Sequence, residues 1–260
     1  MDSKPNYAKA LATQYPLLFA LVFFVISFCL NCGMVIIGQH VVAIAYIGVL
    51  AAIIQSFLAL GVLAWLGWLQ VAGFNTPSHW HNLYLLWLPA LLALFYLTST
   101  VTTSVSSVTV VIFAVIFALL TGLNEEACFR GVILQTLLPY GPRKAALLSG
   151  LFFSLAHFTN LFTHLPSIII LGQVIGGFLL GFGFAACRLR TKTIWPLIIF
   201  HALFDLPANV TLLDKSTTTV YSLLYSLSSI TVLFGLITPG IILTGYALFL
   251  LRSRRLPLSN

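Results

Sequence analysis

Residues 107–130 read SVTVVIFAVIFALLTGLNEEACFR: an uncharged apolar run that continues to Leu123 and then meets Asn124, Glu125, Glu126 and Arg130. A run of this length is what one bilayer crossing needs, at about 20 apolar residues per helix. Carboxylates at its far end would stand at bilayer depth. An ionisable group there costs several kcal/mol and faces a partner or a water-filled cavity, which makes it a candidate functional residue.

The rest of the chain repeats the apolar pattern. Of its 260 residues, 60% are hydrophobic and 7% charged, with mean hydropathy +1.07, too little polar surface for a protein solvated on every side. The sequence predicts an all-α, polytopic membrane helical bundle of about eight transmembrane helices, near 16–38, 43–71, 83–98, 107–138, 143–160, 166–187, 193–210 and 229–251. The first run is too long for a cleaved secretory signal and lacks its small-residue cleavage site, so it is expected to be a retained span. Three regions follow: 1–105 with helices of unassigned role, 106–208 as the core, and 209–260 as a last helix with a basic tail.

Orientation follows from the basic residues. Lys4 and Lys9 precede the first span, Arg143 and Lys144 follow the fourth, Arg188, Arg190 and Lys192 the sixth, and Arg252, Arg254 and Arg255 the eighth. The opposite connections carry only Lys215 beside Asp214. Positive-inside bias predicts a multi-pass protein of the cell membrane with both termini cytoplasmic. The net charge of +7 is thereby spent on topology beside anionic lipid, and no nucleic-acid partner is expected.

Cys29, Cys32, Cys128 and Cys187 fall in predicted spans, so no disulfide framework is expected, and the CxxC of Cys29 and Cys32 reads as packing. Gly172, Gly176, Gly177, Gly181 and Gly183 place two GxxxG spacings in the sixth span, which predicts close helix contact at the bundle centre. His40, His79, His81 and His164 fall in short connections. Trp65, Trp68, Trp80, Trp87 and Trp195 lie near span ends, as an interfacial aromatic belt would.

Glu126 and Arg130 stand at i,i+4 and pair on a helix, whereas Glu125 is turned about 100° away and is left free to take a proton from water. Two further spans carry Phe153-x-x-x-His157 and His201-x-x-x-Asp205. Measured at ~1.5 Å per residue from the cytoplasmic edges, Glu125, His157 and Asp205 lie roughly 20 Å deep and His201 roughly 13 Å. Agreement in depth on three helices predicts one shared, water-accessible cavity.

Glu-Glu-x-x-x-Arg at 125–130, Phe-x-x-x-His at 153–157 and His-x-x-x-Asp at 201–205, in that order on successive apolar segments, resemble the three motifs of the CAAX-processing and bacteriocin-processing intramembrane proteases, the CPBP or Abi family. The resemblance covers about 106–208. It implies an endopeptidase for a membrane-associated peptide, prenylated or bacteriocin-like. Glu125 would activate water and His157 assist, while His201 and Asp205 stabilise the oxyanion, and Glu126, Arg130 and Phe153 support them. Family members carry Asn or Asp at the last motif position; an ionised Asp would repel an oxyanion. Asp205 would therefore carry a proton, orient His201, or join Glu125, His157 and His201 as ligands of a metal such as zinc. No HExxH pair is present, and metal-free glutamate chemistry is the reading preferred here. Two other classes are compatible with the residues: a catalytically idle scaffold or bacteriocin self-immunity protein, and a transporter or proton relay, for which matching inverted halves would be expected and are not visible. Nothing in the residues names the substrate or the oligomeric state.

Overall fold

The computed structural model describes residues 7–38, 40, 44–76, 80–100, 107–163, 165–214 and 229–252. Lys4, Lys215, Arg254 and Arg255, on which the orientation partly rests, and His79 and His164 lie outside them. The described residues are almost wholly helical. Backbone groups in a bilayer must be satisfied within their own segment, and a helix does this with any apolar sequence.

A short α1 (Tyr7–Gln14) leads into α2 (Pro16–Gly38) and α3 (Ile44–Trp65). After a turn at Gly67, a π-helical turn (Gln70–Phe74) and a 3-10 turn (Trp80–Leu86) precede α4 (Trp87–Thr100). The long central helix begins as α5 (Val108–Glu126), passes through a π-helical stretch (Ala127–Ile133), and ends in α6 (Leu134–Leu137). Then follow α7 (Pro142–Ala156), running into a 3-10 turn (His157–Phe162), α8 (Ser167–Thr191), α9 (Trp195–Asp214) and α10 (Ser229–Arg252).

Among the described residues, seven helices are long and apolar enough to cross a membrane, and the helix at Asn82–Thr98 is apolar but shorter. The eight-segment expectation is thus met by seven full spans and one short one. The second predicted span is cut back: its helix stops at Trp65, and its expected tail becomes the Gly67 turn and the π-helical turn.

Side chains facing lipid gain nothing from the hydrophobic effect against one another, so close backbone approach must hold the bundle. The glycines of α8 provide it on two faces. A Cβ on Gly181 would lie 3.0 Å from the Gly150 Cα of α7, and one on Gly172 2.7 Å from Leu236 of α10. α8 accordingly packs between α7 and α10, at the crowded centre expected of it. On α5, a Cβ on Gly122 would come within 2.6 Å of the Ile198 carbonyl oxygen, so α5 and α9 also touch backbone to backbone. That contact brings together the helices that carry the first and third motifs.

Several arginines expected in cytoplasmic connections are built into the bundle. Arg188 is buried in α8 and donates to the carbonyls of Val71 (2.6 Å) and Ala72 (2.9 Å) within the π-helical turn. Gly73 there has φ 89° and leaves no room for a side chain, since a Cβ would meet the Arg188 guanidinium at 2.8 Å. Arg143 donates to the Leu251 carbonyl (3.2 Å) and Arg190 to that of Leu250 (2.7 Å), which satisfies the last carbonyls of α10. Trp68 is buried, unlike the exposed Trp65, Trp87 and Trp195, and so leaves the belt. The four cysteines are free thiols.

Candidate active site

Glu125 and Glu126 end the regular part of α5, immediately before the π-helical stretch. A π-helical turn shifts the hydrogen-bond register by one residue and is often found at functional sites. Here the Phe129 carbonyl accepts from the Leu134 N–H and also from the Ser149 hydroxyl of α7 at 2.8 Å, tying this part of the helix to its neighbour.

Glu126 is fully buried and faces Arg130, Oε1 to Nη1 at 2.9 Å, so the expected i,i+4 pair is present. The guanidinium is itself buried. It stands 4.5 Å from the centre of the Phe153 ring and 5.5 Å from that of Phe184, and donates to the Gly181 carbonyl at 3.4 Å. Arg130 thus joins α5, α7 and α8.

Glu125 is not left without a partner. Its Oε2 lies 3.0 Å from His201 Nε2, while His201 Nδ1 lies 2.8 Å from Glu126 Oε1. One buried imidazole on α9 therefore bridges two adjacent carboxylates on α5. The order Glu125–His201–Glu126–Arg130 forms a continuous chain of contacts, and the expectation of an unpartnered Glu125 is corrected by a residue 76 positions away. With Glu126 ionised opposite Arg130, Nδ1 must be the donor to it, and the proton between Nε2 and Glu125 can sit on either atom.

Asp205 follows one turn after His201, with Oδ2 3.8 Å from Nε2. That separation is too long for a hydrogen bond. The shorter contact of His201 is the one to Glu126 Oε1, at 2.8 Å.

His157 opens the 3-10 turn after α7 and is half-buried, its Nδ1 3.0 Å from the Phe153 carbonyl. A carbonyl only accepts, so the proton is on Nδ1 and a neutral His157 presents a lone pair at Nε2. The Phe153 ring meets His157 and His201 edge-on, at centroid distances of 5.1 and 5.6 Å, and separates the two imidazoles. Gly177 of α8 backs His157: a Cβ there would lie 3.1 Å from its Cε1.

The four groups do not share one cavity. Glu125 lines a cavity of about 320 Å³ walled by α2, α3, α5 and the turn after α7, with Phe24, Ala52 and Phe117 among its apolar residues and Asn31 and Gln55 among its polar ones. His157, His201 and Asp205 line a second, of about 190 Å³, closed by α8, α9 and α10. The Glu125–His201 contact stands where the two approach. The N-terminal helices, to which no role was assigned from sequence, form much of the larger wall. A hint lay in Asn31, a polar residue inside an apolar run, which donates to the Thr159 hydroxyl at 3.4 Å.

Among the described residues, no three His, Cys, Asp or Glu side chains are gathered as a metal ion's ligands would be. Both nitrogens of His201 already face carboxylates. A metal bound by His201 would have to displace one of those contacts, and no step is routed through a metal.

No curated protein matches the chain. Residues 106–207, which contain all three motifs and the whole Glu125–His201–Glu126–Arg130 chain, match the family model described as Type II CAAX prenyl endopeptidase Rce1-like. Over this segment the chain is similar to that family of membrane proteases, as its three motifs led one to expect.

Proposed function

We propose that the protein is an intramembrane endopeptidase in which Glu125 activates the attacking water, without a metal. The observation that carries this is the position of Glu125: 28% exposed at the wall of the larger cavity, yet in contact with a histidine fixed from behind by Glu126 and Arg130. Such a carboxylate is reachable by substrate and held in one orientation, which is what general base catalysis requires.

In this mechanism a water lies between Glu125 and the Nε2 lone pair of His157. Glu125 takes one proton, and the resulting hydroxide forms a bond to the scissile carbonyl carbon. The carbonyl electron pair moves to oxygen, and that oxyanion is met by the Nε2–H of His201 and by a protonated Asp205. Collapse re-forms the carbonyl and breaks the C–N bond, and the leaving nitrogen takes the proton held by Glu125. Donors placed for the oxyanion contribute about 10²–10³ in rate each in well-studied hydrolases.

The substrate is a membrane-associated peptide entering from the larger cavity, whose mostly apolar wall suits a hydrophobic or lipid-modified tail. The description of the matching family, a CAAX prenyl endopeptidase, supports a prenylated C-terminal tail as its class. Basic residues at the ends of α8 and α10 support cytoplasmic termini and cleavage from that side.

The test is cleavage of prenylated and unprenylated membrane peptides by purified protein, with Glu125→Ala in parallel and metal content measured. Products from the wild type alone, unaffected by strong chelation, are expected. Activity that survives in Glu125→Ala would refute the role of Glu125, and stoichiometric zinc lost together with activity would refute the metal-free version.

A further inference from the structure

A third cleft lies away from the catalytic chain, where α7 begins and α10 ends. It has a volume of about 400 Å³ and is lined by Arg143, Lys144 and Arg252 together with Leu147, Phe182 and Leu248. Both helices are membrane spans, and these are their ends, so the cleft lies at the level of the lipid headgroups. Leu147 and Leu248 are 47% and 52% exposed, and they continue the cleft as an apolar strip toward the bilayer interior.

Among the described residues, no carboxylate balances the charge of the cleft. The chain has five acidic residues. Glu125, Glu126 and Asp205 stand around His201, Asp214 ends α9, and Asp2 lies outside the described residues. Arg143 is turned onto the Leu251 carbonyl, a neutral acceptor that leaves its full positive charge uncompensated. Lys144 and Arg252 are exposed, and among the described residues no carboxylate faces either of them.

We infer that this cleft is a binding site for one anionic glycerophospholipid, its phosphate between Arg143, Lys144 and Arg252 and one acyl chain along Leu147 and Leu248. Basic pockets between spans on the cytoplasmic side are suited to anionic headgroups. A free phosphate would use the cations but not the apolar strip, and a zwitterionic lipid would use the strip but carries its own compensating charge. The site is independent of the proposed protease activity.

The experiment is native mass spectrometry of the full chain released from micelles containing phosphatidylglycerol or phosphatidylcholine with the same acyl chains. The probe variant is Lys144→Gln combined with Arg252→Gln; Arg143 is left in place because it caps α10. The wild type is expected to retain one phosphatidylglycerol in preference to phosphatidylcholine, and the variant to lose affinity about 5-fold for each charge removed, about 25-fold in all. The exchange Lys144→Arg with Arg252→Lys should keep the preference, and inorganic phosphate should not displace the lipid. Equal retention of the two lipids by the wild type, an unchanged preference in the variant, or full displacement by inorganic phosphate would each overturn the assignment. Should the double variant fail to fold, Lys144→Gln alone decides, with a 5-fold loss expected and no loss contradicting the site.

Discussion

The two cavities that approach each other at the Glu125–His201 contact differ in what builds them. The larger is walled by α2 and α3 together with α5, mostly apolar and small side chains, and has one carboxylate, Glu125, in its wall. The smaller is walled by α8, α9 and α10 and carries His157, His201 and Asp205. The larger has the room and the apolar wall for a substrate, and the smaller holds most of the proton-handling groups. In the proposed mechanism the chemistry belongs to the boundary between them, and variants on either side should fail in different ways.

The largest effect is expected at the boundary. Glu125→Gln keeps the size of the side chain and removes the base; turnover should fall by roughly 10⁴-fold, the upper range for a general base, with little change in thermal unfolding. A steady-state assay beside a melting curve checks both halves of that expectation. Next comes the support behind the boundary. Glu126→Gln leaves Arg130 as an uncompensated buried charge, so it should destabilise the protein by about 3–5 kcal/mol and lower turnover as well. A variant as stable as the wild type would show that Arg130 does not depend on this pair.

On the substrate side, Ala52→Phe would fill part of the larger cavity without touching the catalytic chain. KM should rise by about 10-fold with kcat nearly unchanged, as expected when uniform binding is lost. A fall in kcat with KM constant would move the substrate out of that cavity. The smallest effect is expected for Asp205→Asn, since an amide donates to an oxyanion as a protonated acid does. Turnover should change by less than about 10-fold at neutral pH. A loss as large as that of Glu125→Gln would assign Asp205 a proton-transfer role of its own.

Much of this was legible in the chain itself. Uninterrupted apolar runs gave away the spans, because a bilayer demands them one by one, and the i,i+4 pairing of Glu126 with Arg130 is a property of a single helix. The bridging of both glutamates by His201 was not legible, since it depends on how α9 packs on α5 through Gly122. The division into two cavities depends likewise on where α2, α3 and α10 come to rest. Arg188 shows the same limit. Hydropathy places a cation at the span end, but its partners are carbonyls of Val71 and Ala72, exposed by a π-helical turn that no local pattern announces.

The central claim, that Glu125 and His201 act as one unit at the meeting of the cavities, is tested most directly by a double-mutant cycle. Single-turnover cleavage would be measured for the wild type, Glu125→Gln, His201→Ala and the double variant. Residues acting as a unit give a double variant no slower than the worse single one, and this is the expected result. Losses that multiply, or substantial cleavage by Glu125→Gln, would contradict the claim.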